Sequence, residues 1–98
     1  MKVLADISII PIGVGVSLSK YVAACERELK NAGLQPKLHA FGTNVEGDWD
    51  AVFGAVKRCH EALHGMGAPR VSTTMRLGTR VDKDQRIEDK VRSVEEKL

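Results

Sequence analysis

The segment Thr43-Asn44-Val45-Glu46, bracketed by Gly42 and Gly47, sets a hydroxyl, an amide and a carboxylate side by side on a glycine-bounded turn. Such a set suits a small polar ligand: the carboxylate accepts from an amine or a protonated ring nitrogen, and Thr43 and Asn44 complete the donors and acceptors. Asp6 and Ser8 offer further polar groups from the N-terminal segment, and Phe41 or Trp49 can supply a ring face. Glu46 also has a plainer reading, as an acidic residue complementing the dipole of the helix that follows it. Asp6 and Arg76 are placed to pair across a sheet, either structurally or around a ligand. Acid–base chemistry on paired carboxylates would require Asp6 and Glu46 to converge, which strand pairing permits without establishing.

The remaining motifs carry less. Gly13-Val14-Gly15 precedes a helix, but Leu18 stands where a dinucleotide loop needs its third glycine, and no Lys-Ser or Lys-Thr pair follows. It reads as a connecting turn. His60 and His64 lie one helical turn apart without the intervening glutamate pattern of a zinc helix, so with His39 they read as helix or strand surface rather than a metal site. Cys25 and Cys59 have no ligand-spaced partners and read as buried thiols. With no nucleophile elbow and no metal cluster, catalytic residues, metal and cofactor are all read as none.

These groups are held by a simple succession of elements. Residues 3 to 12 alternate, with Val3, Ala5, Ile7 and Ile9 on one side and Leu4, Asp6, Ser8 and Ile10 on the other, which predicts a strand. Leu18, Val22, Cys25 and Leu29 then line one side of a helix that Ser17 or Ser19 can cap and Gly33 closes. Gln35 to Gly42 predicts a second strand, and the Thr43 to Gly47 turn leads into a short third one. Asp48 caps a second helix with the stripe Val52, Val56, Cys59 and Leu63. Val71, Thr73, Met75 and Leu77 alternate as a final strand. The order βαββαβ is α+β, a ferredoxin-like sandwich with its helices on one face of a mostly antiparallel sheet.

On the other face the alternation places Asp6, Ser8, Ser72, Thr74 and Arg76 together with Leu4, Ile10 and Ile12. That mixture predicts a partly polar contact with a second subunit, through the face or an edge of the sheet. A third helix, predicted from Asp84 to Leu98, carries the narrow stripe Ile87, Val91, Val94 and Leu98 and must lie on its own sheet or on a neighbour.

Composition bounds the function. A chain of 98 residues is expected to form a single domain over 1–98 whose modest core favours self-association. The net charge of +2 comes from interleaved basic and acidic residues, and the aromatics are only Tyr21, Phe41, Trp49 and Phe53, so neither phosphate-backbone binding nor base stacking is expected. No nucleic acid partner is read here. The apolar stretch Ile7 to Val16 is broken by Pro11, Gly13 and Gly15 and is short of a bilayer span, and Asp6 interrupts any secretory pattern. No membrane association and a cytoplasmic location are therefore expected.

Taken together, Ile9-Ile10-Pro11-Ile12-Gly13, Ser17-Leu18-Ser19-Lys20-Tyr21-Val22, Gly42-Thr43-Asn44-Val45-Glu46-Gly47 and Arg70-Val71-Ser72-Thr73 resemble, end to end, the thiamine-binding protein family. The resemblance implies a small stand-alone ferredoxin-like protein whose dimers combine their sheets and commonly pair into tetramers. It also implies binding of thiamine or its hydroxymethylpyrimidine moiety near subunit contacts, without established catalysis. Members often have Asp in the last strand, where this chain reads Met75-Arg76-Leu77-Gly78-Thr79-Arg80 with Gly78 near that position. The expected site is Glu46 on the aminopyrimidine, with Thr43, Asn44, Ser8, Asp6, Phe41 and Trp49 around it. Two other classes remain: a small dimeric enzyme using Asp6 or Glu46 as acid or base, and a metabolite-sensing module acting through the Asp84 to Leu98 helix.

Overall fold

A computed structural model describes all 98 residues. Its elements are β1 (Lys2–Ile12), α1 (Ser19–Asn31), β2 (Lys37–His39), β3 (Gly42–Asp48), α2 (Trp49–Gly65), β4 (Arg70–Gly78) and α3 (Ile87–Glu95). The four strands form one antiparallel sheet in the order β2-β3-β1-β4, the ferredoxin-like arrangement with one helix added.

The alternation of β1 decides which face is core. Val3, Ala5, Ile7 and Ile9 are buried on the side covered by α1 and α2, where they meet Leu29, Val52, Ala55, Cys59 and Leu63. A residue slip would turn this whole set outward, so the register is strongly specified. Cys25 and Cys59 lie where the two helices meet, with the Cys59 thiol donating to the Cys25 carbonyl at 3.6 Å. Its hydrogen bond to Cys25 and its burial push the Cys59 thiol up, so it stays protonated and behaves as a small core side chain.

Several boundaries differ from the sequence expectation. The segment 43–47 is not a turn: Gly42–Asp48 is a continuous strand paired with β1 from Lys2↔Asp48 to Ile7↔Thr43. Its β-competent residues alternate, Thr43 and Val45 inward, Asn44 and Glu46 outward. The true turn is at Ala40 and Phe41, so the predicted strand Gln35 to Gly42 shortens to Lys37–His39. Neither Ser17 nor Ser19 caps α1, whose N-cap is Leu18 with no side-chain bond. Asp48 does cap α2, accepting from the Asp50 amide at 3.3 Å. Gly13 and Gly15 both adopt positive φ, consistent with a tight connecting turn.

Helix α3 begins three residues later than expected and ends three residues earlier, at Glu95. It lies on its own sheet, over the face opposite α1 and α2, with Ile87 near Leu4 and Asn44. Its Val91 and Val94 remain 53% and 60% exposed, so the stripe is only partly used. No helix is long and apolar enough to cross a membrane.

Candidate ligand-binding site

Strand β1 is longer than its partner β3. Pairing with β3 stops at Ile7↔Thr43, while pairing with β4 continues to Ile12, so beyond Ile7 the β3-side edge of β1 has no strand beside it. The β2–β3 hairpin turns away at this point, and α1 crosses above. Between them lies a chamber of about 380 Å³, lined by ten hydrophobic residues among fifteen, including Ile7, Ile9, Leu18, Val22, Leu38 and Phe41. Its volume falls within the usual range of about 300–1,000 Å³ for small-molecule sites.

One carboxylate enters this apolar space. Glu26 is half-buried, and its Oε2 accepts from the Thr43 hydroxyl at 3.0 Å. Its Oε1 has no protein partner and is not sealed from solvent, on a side chain that lines the chamber. Beside the chamber is Gly42, where a Cβ would stand 2.8 Å from the Ile7 carbonyl oxygen. The rim includes Phe41, 89% exposed at the hairpin tip, and His39. His39 is fully occupied: Nδ1 accepts from the Phe41 amide at 3.3 Å, so Nε2 donates to Asp6 Oδ1 at 2.6 Å. The imidazole therefore locks the hairpin to β1.

The seven residues expected to share a site are divided. Phe41 and Thr43 line the chamber, and Ser8 borders it at the unpaired edge of β1 while its side chain alternates onto the face of Asp6. Asp6, Asn44 and Glu46 lie on the opposite face of the sheet, where Asp6 is opposite Asn44 and Leu4 opposite Glu46. Trp49 belongs to neither group: it starts α2 and stacks on Phe53 with ring centroids 4.8 Å apart. The division follows from β3 being a strand, because adjacent strand residues point to opposite faces.

Glu46 is already committed. Its Oε2 accepts from the Ile87 amide at 3.3 Å and lies 3.7 Å from the Lys2 ammonium, while Oε1 accepts from Arg86 Nε at 3.4 Å. The carboxylate thus complements a helix N-terminus, as in its plainer reading, but the helix is α3 rather than α2. Hydrogen bonding to Glu46 raises the Arg86 guanidinium above its ordinary value, keeping it charged. Asp6 and Arg76 are opposite one another in β1 and β4, yet Asp6 pairs with His39 rather than with Arg76.

Of the helical histidines, His64 is exposed as expected, His60 is half-buried, and each is held by a hydrogen bond. His60 Nε2 meets the Thr73 hydroxyl at 2.5 Å and His64 Nδ1 donates to the Ala68 carbonyl at 2.8 Å, tying α2 to β4 and to its own C-terminal turn. No three His, Cys, Asp or Glu side chains are grouped so as to hold a metal ion.

Sequence reasoning missed Glu26. A signal was present: Glu26 is four residues after Val22 and three before Leu29, so a carboxylate stands on the flank of the apolar stripe of α1. Leu38 was missed because a three-residue edge strand is too short to show periodicity.

Comparison with known proteins agrees with the fold. The family described as "Thiamine-binding protein" matches residues 5–95. A UPF0045 protein of Synechocystis sp. is 57% identical over 95 residues, covering 97% of this chain and 78% of the relative. The crystal structure of a hypothetical protein from Methanocaldococcus jannaschii superposes with a TM-score of 0.89 at 37% identity, covering 97% of both chains. A Thermotoga maritima structure, described as a putative thiamine biosynthesis/salvage protein, shares the fold with a TM-score of 0.80 at 20% identity, covering 96% of this chain and 99% of that one. The chain belongs to the thiamine-binding protein family.

Proposed function

We propose that the protein binds thiamine or its hydroxymethylpyrimidine moiety without turning it over, and that the aminopyrimidine sits in the chamber beneath α1. The observation that carries this is Glu26, a half-buried carboxylate in an apolar chamber with one oxygen held by Thr43 and the other free. An aminopyrimidine presents an exocyclic amine beside a ring nitrogen, and Oε1 accepts from the amine or from the protonated ring. Charge-assisted hydrogen bonds of this kind contribute about 1.5–3 kcal/mol each. Leu38 and Phe41 would flank the ring, and Ser8 at the unpaired edge of β1 supplies a further polar contact. Asp6 would act indirectly, holding His39 and with it the hairpin that carries Phe41.

A binder is favoured over an enzyme because the one Asp–His pair has no ring nitrogen left for a substrate proton. Asp6 and Glu46 do not act as a carboxylate pair either, since each is already bonded elsewhere. The uncovered part of the sheet face, where Ile10 and Ile12 are 39% and 40% exposed, supports a homodimer built on that face. A cytoplasmic location completes the proposal.

Isothermal titration calorimetry with thiamine and, separately, hydroxymethylpyrimidine tests the reading, with light scattering on the same sample for subunit count. Saturable binding at a fixed ratio per subunit is expected, and Glu26→Gln should weaken it at least about tenfold with little change in melting temperature. No heat from either compound would remove the proposal, and an unchanged Glu26→Gln would remove the site.

A further inference from the structure

The chamber does not end at Glu26. The space between α1 and β2 continues outward as a groove of about 590 Å³ that shares Val22, Glu26 and His39 with the chamber and adds Ser19, Arg27 and Lys30. The added α1 residues follow helical spacing, so they face β2 together. Arg27 and Lys30 are exposed and hold no carboxylate, although Lys30 is four residues after Glu26, a spacing at which such pairs commonly form on helices. Glu26 instead accepts from Thr43 across the groove. A carboxylate thus stands at the inner, apolar end, with Arg27 beside it in the helix, about 1.5 Å further along the axis and turned toward the groove, and Lys30 about one turn beyond.

We propose that chamber and groove form one two-part site whose ligand is the phosphate monoester of the aminopyrimidine, with the amine on Glu26 and the phosphate on Arg27 and Lys30. This rests on the aminopyrimidine reading above. A guanidinium and an ammonium are the two side-chain groups best suited to a phosphate, the first by a bidentate fork and the second as a point charge. The reverse orientation is disfavoured, because a phosphate in the chamber would lose water against apolar walls and face Glu26. The same two cations oppose the thiazolium of thiamine in the groove, so the phosphorylated pyrimidine should outrank both the free pyrimidine and thiamine.

Calorimetric titration of hydroxymethylpyrimidine, its monophosphate and inorganic phosphate into the wild type, Arg27→Gln/Lys30→Gln and Glu26→Gln tests this. The monophosphate should bind about tenfold tighter than the free pyrimidine to the wild type, and that gain should shrink with added salt as exposed charges are screened. The double variant should lose the gain and keep the affinity for the free pyrimidine, its melting temperature confirming an intact fold. A monophosphate no tighter than the free pyrimidine, or a gain that survives in the double variant, overturns the two-part site. Inorganic phosphate binding as tightly as the ester also overturns it, showing an isolated anion patch. If neither pyrimidine compound binds the wild type, the aminopyrimidine reading itself falls and this proposal with it.

Discussion

The chamber under α1 and the opposite face of the sheet each present a half-buried glutamate, but only the first has a carboxylate oxygen to spare. Glu26 gives Oε2 to Thr43 and keeps Oε1 for the chamber. Glu46 spends both oxygens on docking α3, through the Ile87 amide and Arg86, with Lys2 close by. Two residues of one type, both half-buried, thus have different capacities. A carboxylate becomes a candidate ligand group only after its acceptor positions have been counted against the donors around it. The surroundings differ in the same sense: the chamber wall is mostly apolar, whereas the space between α3 and β3 has three hydrophobic residues among eleven.

The sharpest way to break this comparison is to neutralise both glutamates separately. Glu26→Gln is expected to weaken ligand binding at least about tenfold, while Glu46→Gln should leave affinity within about twofold. The Glu46 variant should instead speed amide hydrogen exchange across 86–89, because the α3 N-terminus loses its partner. A large affinity loss in Glu46→Gln with none in Glu26→Gln would move the site to the open face.

Glycine substitutions sharpen the contrast in packing. At Gly42, beside the chamber, an added Cβ stands 2.8 Å from the Ile7 carbonyl oxygen and 3.4 Å from Asp6 Oδ1, on the face of Asp6, whereas at Gly78, at the end of β4, it meets nothing within 4 Å. Gly42→Ala should cost about 1–3 kcal/mol in urea denaturation and weaken ligand binding. Gly78→Ala should stay within about 0.5 kcal/mol. Equal costs at the two positions would mean that the close approach of the hairpin to β1 at Gly42 is no tighter than the free end of β4.

The smallest effect is electrostatic and lies at the end of the β1–β3 ladder. The N-terminal ammonium donates to Asp48 at 2.9 Å, and this bond, with the Asp50 amide, lowers the Asp48 carboxyl below its ordinary 3.8. A depressed folded-state value stabilises the fold above pH 3.8, and the contribution is lost as pH falls below that value. The same bond raises the ammonium above 8.0, a contribution present below pH 8.0 and lost as pH rises through the raised value. Asp48→Asn, which keeps a capping side chain, should flatten the fall of melting temperature on the acid side by a small amount while leaving ligand affinity unchanged.

Much of the fold was legible. The period-two run of β1 and the stripes of α1 and α2 are long enough for the core and its face to be read directly, including Cys25 and Cys59 as packing thiols. Two glycines misled. Glycines on both sides of Thr43 to Glu46 suggested a turn, yet Gly42 is needed for close approach to the Ile7 carbonyl and Gly47 for room beside Leu34, where a Cβ would stand 2.6 Å from Cδ2. Tertiary contact, not turn geometry, accounts for these glycines. The named residues are therefore sent by β3 to both faces, with Phe41 and Thr43 lining the chamber and Ser8 at its edge.

By itself the sequence determined the element order, the core-facing side of β1 and of β4 and the family, because periodic burial and end-to-end similarity are written along the chain. The tertiary structure alone decided which glutamate has a free oxygen. That depends on β1 extending past β3 to leave a gap under α1, and on α3 folding back to claim Glu46. Both are contacts between residues far apart in sequence, and no local pattern encodes them.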